Sequence, residues 1–186
     1  KLGRTGERLS IVGFGGILVM NETAEDAAAY VAEAVDKWDL NYFDVAPSYG
    51  NAEEMLGPAL APYRDQVFLA CKTGKRDAAG AEEELHTSLK RMQTDHFDLY
   101  QLHAMTEMAE VEQVFGPGGA METFLKAREQ GKVRFLGFSA HTVEAAMAAM
   151  DRFDFDTIML PVNFVSWYKG NFGRDVLERA SAADMG

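Results

Sequence analysis

The chain alternates between two hydrophobic rhythms. Short, mostly apolar runs, IVGFGG, NYFDVA, VFLACK, FDLYQLH, VRFLGFS and TIMLPVN, are each followed by a stretch with apolar positions three and four residues apart. The first rhythm fits a strand buried on both faces, and the second fits an amphipathic helix. Thr23 stands where it caps the first helix, Asp26 lies three residues on, and Ala27, Tyr30, Val31, Ala34 and Val35 make its apolar face. EEMLGPAL, AGAEEELHTSLKRM, METFLKAREQ (after a longer connection), TVEAAMAAM and FGRDVLERAS supply the later helices. The opening KLGRTGERLS, with two glycines and alternating polarity, is expected to form a small hairpin.

Such alternation predicts an α/β fold, a parallel sheet covered by helices in a single domain over residues 1–186. The polar residues sharpen this. Asp44, Lys72, His103, Ser139 and Asn163 each fall near the end of a strand run, and in a β/α barrel all such ends open on one mouth. An open doubly wound sheet also gathers ligand groups beyond its strand ends. The expectation is a (β/α)8 TIM barrel represented by about its first six β/α units. A whole barrel runs to ~250 residues, so the 186 residues here are expected to be C-terminally incomplete.

Composition narrows the function classes. The chain is 47% hydrophobic and 25% charged, with a mean hydropathy of -0.18, as in a folded globular protein. With 18 basic against 29 acidic residues its formal charge is -11, which argues against nucleic-acid or anionic-membrane partners while leaving room for a local anion pocket. The single cysteine, Cys71, lies in an apolar strand and is expected to be a buried structural thiol. No long apolar run or signal peptide is evident, so a cytoplasmic setting is expected.

Candidate chemistry centres on Tyr49, just past the NYFDVA strand. A phenol exchanges its proton poorly near neutrality, and a neighbouring ammonium eases that exchange. Lys72 can supply the ammonium, Asp44 can hold it, and His103 can donate a hydrogen bond to a carbonyl oxygen or position the tyrosine. Taken singly, each has a plainer reading, such as a structural ion pair or a satisfied core histidine. Their shared strand-end placement favours the functional one.

LGRTG, IVGFGG, NYFDVAPSYG, LACKTGKR, DHFDLYQLH and GKVRFLGFSAHT, taken in order, resemble the aldo/keto reductase family. The resemblance implies a barrel that binds NADPH, or less often NADH, in an extended pose. It implies a catalytic tetrad of Asp44, Tyr49, Lys72 and His103, with Tyr49 supplying a proton as hydride reduces an aldehyde or ketone to an alcohol. It places Ser139 and Asn163 against the nicotinamide carboxamide, with Gly16, Ile17 and Asp44 also near the cofactor. Two residues depart from the family pattern: Ala140 follows Ser139 where asparagine is usual, and Asn163 stands where glutamine is common.

Other motifs are weaker. Gly13, Gly15 and Gly16 lack the GxGxxG spacing of a dinucleotide loop, and GPGG reads as a loop. The four histidines form no metal-ligand pattern, and no metal is expected. VSWYKGNF reads as a substrate-side or packing loop. Two alternatives stay open: a Schiff-base lyase using Lys72 as nucleophile, and a nicotinamide-binding regulatory protein with little turnover.

Overall fold

The computed structural model describes residues 1–168 and 173–186. Its frame is a six-stranded parallel sheet whose strands follow one another in chain order: β1 (Phe14–Gly15), β2 (Tyr42–Asp44), β3 (Phe68–Thr73), β4 (Phe97–Met105), β5 (Val133–Ala140) and β6 (Thr157–Met159). Each crossover carries a helix. These are α1 (Ala24–Ala32), α2 (Ala52–Leu60), α3 (Ala78–Arg91), α4 (Met108–Phe115), α5 (Ala120–Glu129) and α6 (Val143–Arg152), and α7 (Phe164–Tyr168) and α8 (Arg174–Ala182) follow β6. Such sequential parallel order is that of a (β/α)8 barrel, of which the chain carries six units.

Strand alternation divides the core in two. Phe43, Leu69, Cys71, Tyr100, Leu102, Leu136 and Phe138 face outward into one large cluster with the helices. Phe68, Ala70 and Leu99 face inward and pack with Tyr42 and Phe135. The apolar filling of the barrel interior thus lies low on the strands. The same inward columns carry Asp44, Lys72, Gln101 and Ser139 higher up, since side chains two residues apart share a face. Polar strand ends above an apolar plug create the site.

Local choices explain the helices. Thr23 Oγ1 accepts the Asp26 amide at 3.1 Å, as its capping position predicts. Asp77 accepts the Gly80 amide at the start of α3, and Thr142 does the same for Ala145 in α6. Gly57 lets α2 approach the last turn of α3, because a Cβ there would run into the Arg91 carbonyl.

Several expectations need correction. The opening segment is not a hairpin: Gly3–Thr5 form a 3-10 turn. The amide of Arg4 is drawn to Asp184 O at 2.6 Å, and its guanidinium reaches the carbonyls of Asp154 and Phe155 at 2.9 and 2.8 Å. Those contacts leave two backbone bonds across the turn, Leu2 N to Glu7 O and Thr5 N to Leu2 O, where a hairpin needs a ladder. Within IVGFGG the strand is confined to Phe14–Gly15, and Ile11 and Val12 are exposed. Among the described residues β1 pairs with β2 through Phe14 and Gly15 alone. The longer connection after β4 contains α4, fixed by a reciprocal cap between Glu107 and Glu110. In VSWYKGNF, residues 165–168 lie in α7. Residues 169–172, including the first residue of FGRDVLERAS, lie outside the described residues.

Candidate active site

Tyr49 reaches the mouth through a tight turn. Its amide bonds to Ala46 O, and its carbonyl accepts the Ala52 amide at the start of α2, both at 3.0 Å. The phenol oxygen lies 3.5 Å from Lys72 Nζ, and the ammonium stands 5.3 Å from the ring centroid. His103 meets the same ring edge-on, with centroids 5.9 Å apart and planes at 88°.

Lys72 is 1% exposed at the end of β3. A buried ammonium requires compensating oxygens, and it has them. Nζ is in direct contact with Asp44 Oδ1 and lies 3.5 Å from Val45 O. The other carboxylate oxygen, Oδ2, accepts Gln101 Nε2 at 3.1 Å and the Tyr42 hydroxyl at 3.3 Å. Asp44 is therefore held from three strands. Burial, then the charge on Asp44, pushes the Tyr42 phenol well above its ordinary range, so it stays a donor.

His103 follows a different rule. Burial, and next the nearby Lys72 cation, lower its pKa below the ordinary 6.5, with Arg76 and His141 adding to the effect and Asp44 opposing it. The ring is neutral near pH 7. One ring nitrogen can then donate to a carbonyl oxygen while the other stays free.

All four residues of the expected tetrad thus lie in one neighbourhood. The cofactor candidates are less closely gathered. Gly16 is buried where a Cβ would stand 3.0 Å from Asp44 O and from Val45, and Ile17 beside it is 49% exposed. Ser139 Oγ accepts the Ala104 amide at 2.7 Å, which leaves its O–H free to donate. Asn163 is exposed, and its Oδ1 accepts the Val165 and Ser166 amides at 3.0 Å, capping α7. Among the described residues its hydrogen bonds stay within that loop.

Gln101 and Tyr42 were not singled out by the sequence reading. Their signal was available in the period of two: Tyr42 shares an inward column with Asp44, and Gln101 with His103. A cavity of about 390 Å³ lies at the opposite strand ends, lined by Arg64, Asp98 and Arg134 among others. Its charges satisfy one another, with Asp98 paired to Arg64 at 3.1 Å and to Arg134 at 2.6 Å, so it reads as a structural cluster.

Comparison with known proteins agrees with the fold. The model of the aldo/keto reductase family matches residues 12–186. The aldo-keto reductase YhdN of Bacillus subtilis is 32% identical over 158 residues, 75% of this chain and 46% of that protein. The methylglyoxal reductase YeaE of Escherichia coli is 36% identical over 130 residues, 67% of this chain and 43% of the other. The chain spans about half the length of the curated relatives it matches. The solved structure of the aldo-keto reductase AKR11C1 from Bacillus halodurans shares the fold at a TM-score of 0.83 and 24% identity, covering 100% of this chain and 63% of that one.

Proposed function

The chain belongs to the aldo/keto reductase family, and on that premise we propose that it reduces an aldehyde or ketone to an alcohol with NADPH, NADH being the second choice of reductant. The observation that carries this reading is the Lys72 ammonium, which lies 3.5 Å from the Tyr49 hydroxyl and is anchored by Asp44. A phenol that must give up its proton develops negative charge on oxygen, and a fixed cation at that distance stabilises it.

The residues present fit the cofactor. Gly16 offers backbone that a larger residue could not bring so close to Asp44 and Val45, and Ser139 keeps a free O–H at the mouth. We assign Gly16, Ile17, Asp44, Ser139 and Asn163 to its nicotinamide side, Asn163 through its amide NH₂ because its oxygen is engaged. When bound, the nicotinamide supplies the hydride that reaches the carbonyl carbon. Tyr49 gives its proton to the carbonyl oxygen, so the C=O becomes CH–OH. Neutral His103 donates a hydrogen bond to that oxygen and orients the carbonyl. Asp44 holds the ammonium in place, and Gln101 and Tyr42 hold Asp44.

Schiff-base chemistry fits less well. A nucleophilic amine must be free, whereas Lys72 Nζ is engaged with Asp44 and Val45 O. A methylglyoxal reductase among the relatives supports small carbonyl compounds as the first substrates to try. A reducing, cytoplasmic setting suits the free Cys71. The test is incubation with NADPH and an aldehyde panel. Cofactor oxidation matched by alcohol formation is expected. Borohydride trapping of substrate on Lys72 without cofactor oxidation would point to the lyase instead.

A further inference from the structure

β4 does not run straight through His103. Its register against β5 advances from Leu102 opposite Phe138 to Met105 opposite Ala140, three residues on one strand against two on the other. The extra residue is Ala104, at φ +54°, a left-handed conformation costly for a residue with a Cβ. The bulge changes the phase of the strand. Without it, Met105 would share the inward column of Gln101 and His103, yet Met105 is buried in the outer cluster with the helices.

A strained bulge persists only if its surroundings hold it. Ser139 Oγ accepts the Ala104 amide that the ladder has lost. The carbonyls fall to Arg76, whose Nη2 donates to His103 O at 2.7 Å and reaches Ala104 O at 3.4 Å. The same guanidinium is braced from behind by Glu110 Oε1, at 2.8 Å from Nη2 and 3.1 Å from Nε. Its side chain is 10% exposed, and among the described residues its Nη1 has no hydrogen-bond partner.

Resting on the reductase reading, we propose that Arg76 is a positioning residue, clamping the carbonyls of His103 and Ala104 so that His103 is held at the last inward position before the β4 bulge, with its imidazole against Tyr49. A plainer role would be to neutralise Glu110 at the start of α4. One oxygen of that carboxylate is satisfied without Arg76: Oε2 accepts the amides of Thr106 and Glu107 at 2.7 and 2.9 Å and the Thr106 hydroxyl at 3.0 Å, so Oε1 alone is left to the guanidinium. Burial raises the Glu110 pKa, yet these donors together with Arg76 overcome it and bring it to about 2. Arg76 does more than pair with the acid: its Nε and Nη2 edge grips Glu110 Oε1 while Nη2 also reaches the two successive carbonyls, and a planar guanidinium suits that geometry better than a point charge.

The experiment compares the native chain with Arg76→Met and Arg76→Lys by NMR and by turnover. In the native chain, ring protons of His103 and Tyr49 give mutual NOE cross-peaks, with His103 identified by its loss in His103→Gln. Lys72, Asp44, Arg76, His141 and Tyr49 are the groups that face the imidazole. In Arg76→Met the cross-peaks are lost and the His103 titration midpoint rises, because a repelling cation is gone. Turnover falls by roughly 10- to 100-fold through kcat, the scale of a misplaced catalytic group, with NADPH affinity unchanged. Arg76→Lys recovers part of the cross-peak intensity and of kcat, and serves alone if the methionine variant fails to fold. Cross-peaks and midpoint unchanged in a folded variant would overturn the inference, whether or not the protein turns over. Lost cross-peaks in a chain that reduces no carbonyl would leave the clamp standing and remove the reductase reading.

Discussion

The ammonium of Lys72 and the carboxylate of Asp44 are in direct contact inside the barrel, with side chains 2% and 14% exposed. Breaking such a pair from one side strands a charge where water cannot reach it. Lys72→Met is expected to cost on the order of 3 kcal/mol of stability, and Asp44→Asn a similar amount. The double variant should be less destabilised than the two added together, because neither charge is then left alone. Urea unfolding of the four proteins checks this, and simple additivity would mean that the pair is not coupled.

Gln101 separates stability from function. It is fully buried, its Nε2 donates to Asp44, and its Oε1 has no partner among the described residues. Gln101→Leu removes a hydrogen bond to a charged group, worth about 2 kcal/mol, but also removes an orphaned carbonyl whose burial costs about as much. Its urea midpoint should therefore stay close to native. Asp44 loses one of three anchors, and kcat is expected to fall while the midpoint holds. An equal loss in both would make Gln101 a packing residue only.

The pH dependence follows from His103. Burial, then Lys72, hold its folded pKa below 6.5, with Arg76 and His141 also lowering it and Asp44 opposing. The unfolded chain therefore takes up its proton at higher pH than the folded one. The stability tied to the neutral ring is full above about 6.5 and is lost as pH falls through that value toward the folded pKa. An NMR titration should give a His103 midpoint below the ordinary 6.5, and a midpoint above it would contradict the burial argument.

Cys71 should be silent. It is fully buried, burial pushes its thiol well above the ordinary range, and Glu53 adds to the effect. A thiol reagent is expected to label it only as fast as the fold opens. Rapid stoichiometric labelling of the folded chain would show that the β3 layer under α2 and α3 opens on its own.

The ends of β2 to β5 were legible in the sequence because Asp44, Lys72, His103 and Ser139 each interrupt an apolar run, whereas β6 ends at Met159, short of Asn163; alternation of runs with amphipathic stretches gave the crossovers. Asp44, Lys72 and His103 came together for that reason, and Tyr49 joins them through the turn after β2. The N-terminal segment was misread because its partners are the distant carbonyls of Asp154, Phe155 and Asp184, invisible to local periodicity. The brevity of β1 shows in its register, which pairs Phe14 and Gly15 alone with β2, a property of the sheet and not of IVGFGG. The α4 helix could have been found from Glu107 and Glu110 with Val111 and Val114 behind them. The bulge at Ala104 could not, because it exists only in the register of β4 against β5.

The central claim is that Tyr49 is the proton donor in carbonyl reduction. It is tested most directly by single-turnover oxidation of NADPH with an aldehyde, comparing the native chain with Tyr49→Phe. The phenylalanine keeps the ring against His103 and Lys72 but has no proton to give. The expected result is loss of reduction by at least about 100-fold with NADPH binding retained, the range for removing a general acid. Native-like reduction by the Tyr49→Phe variant would contradict the account.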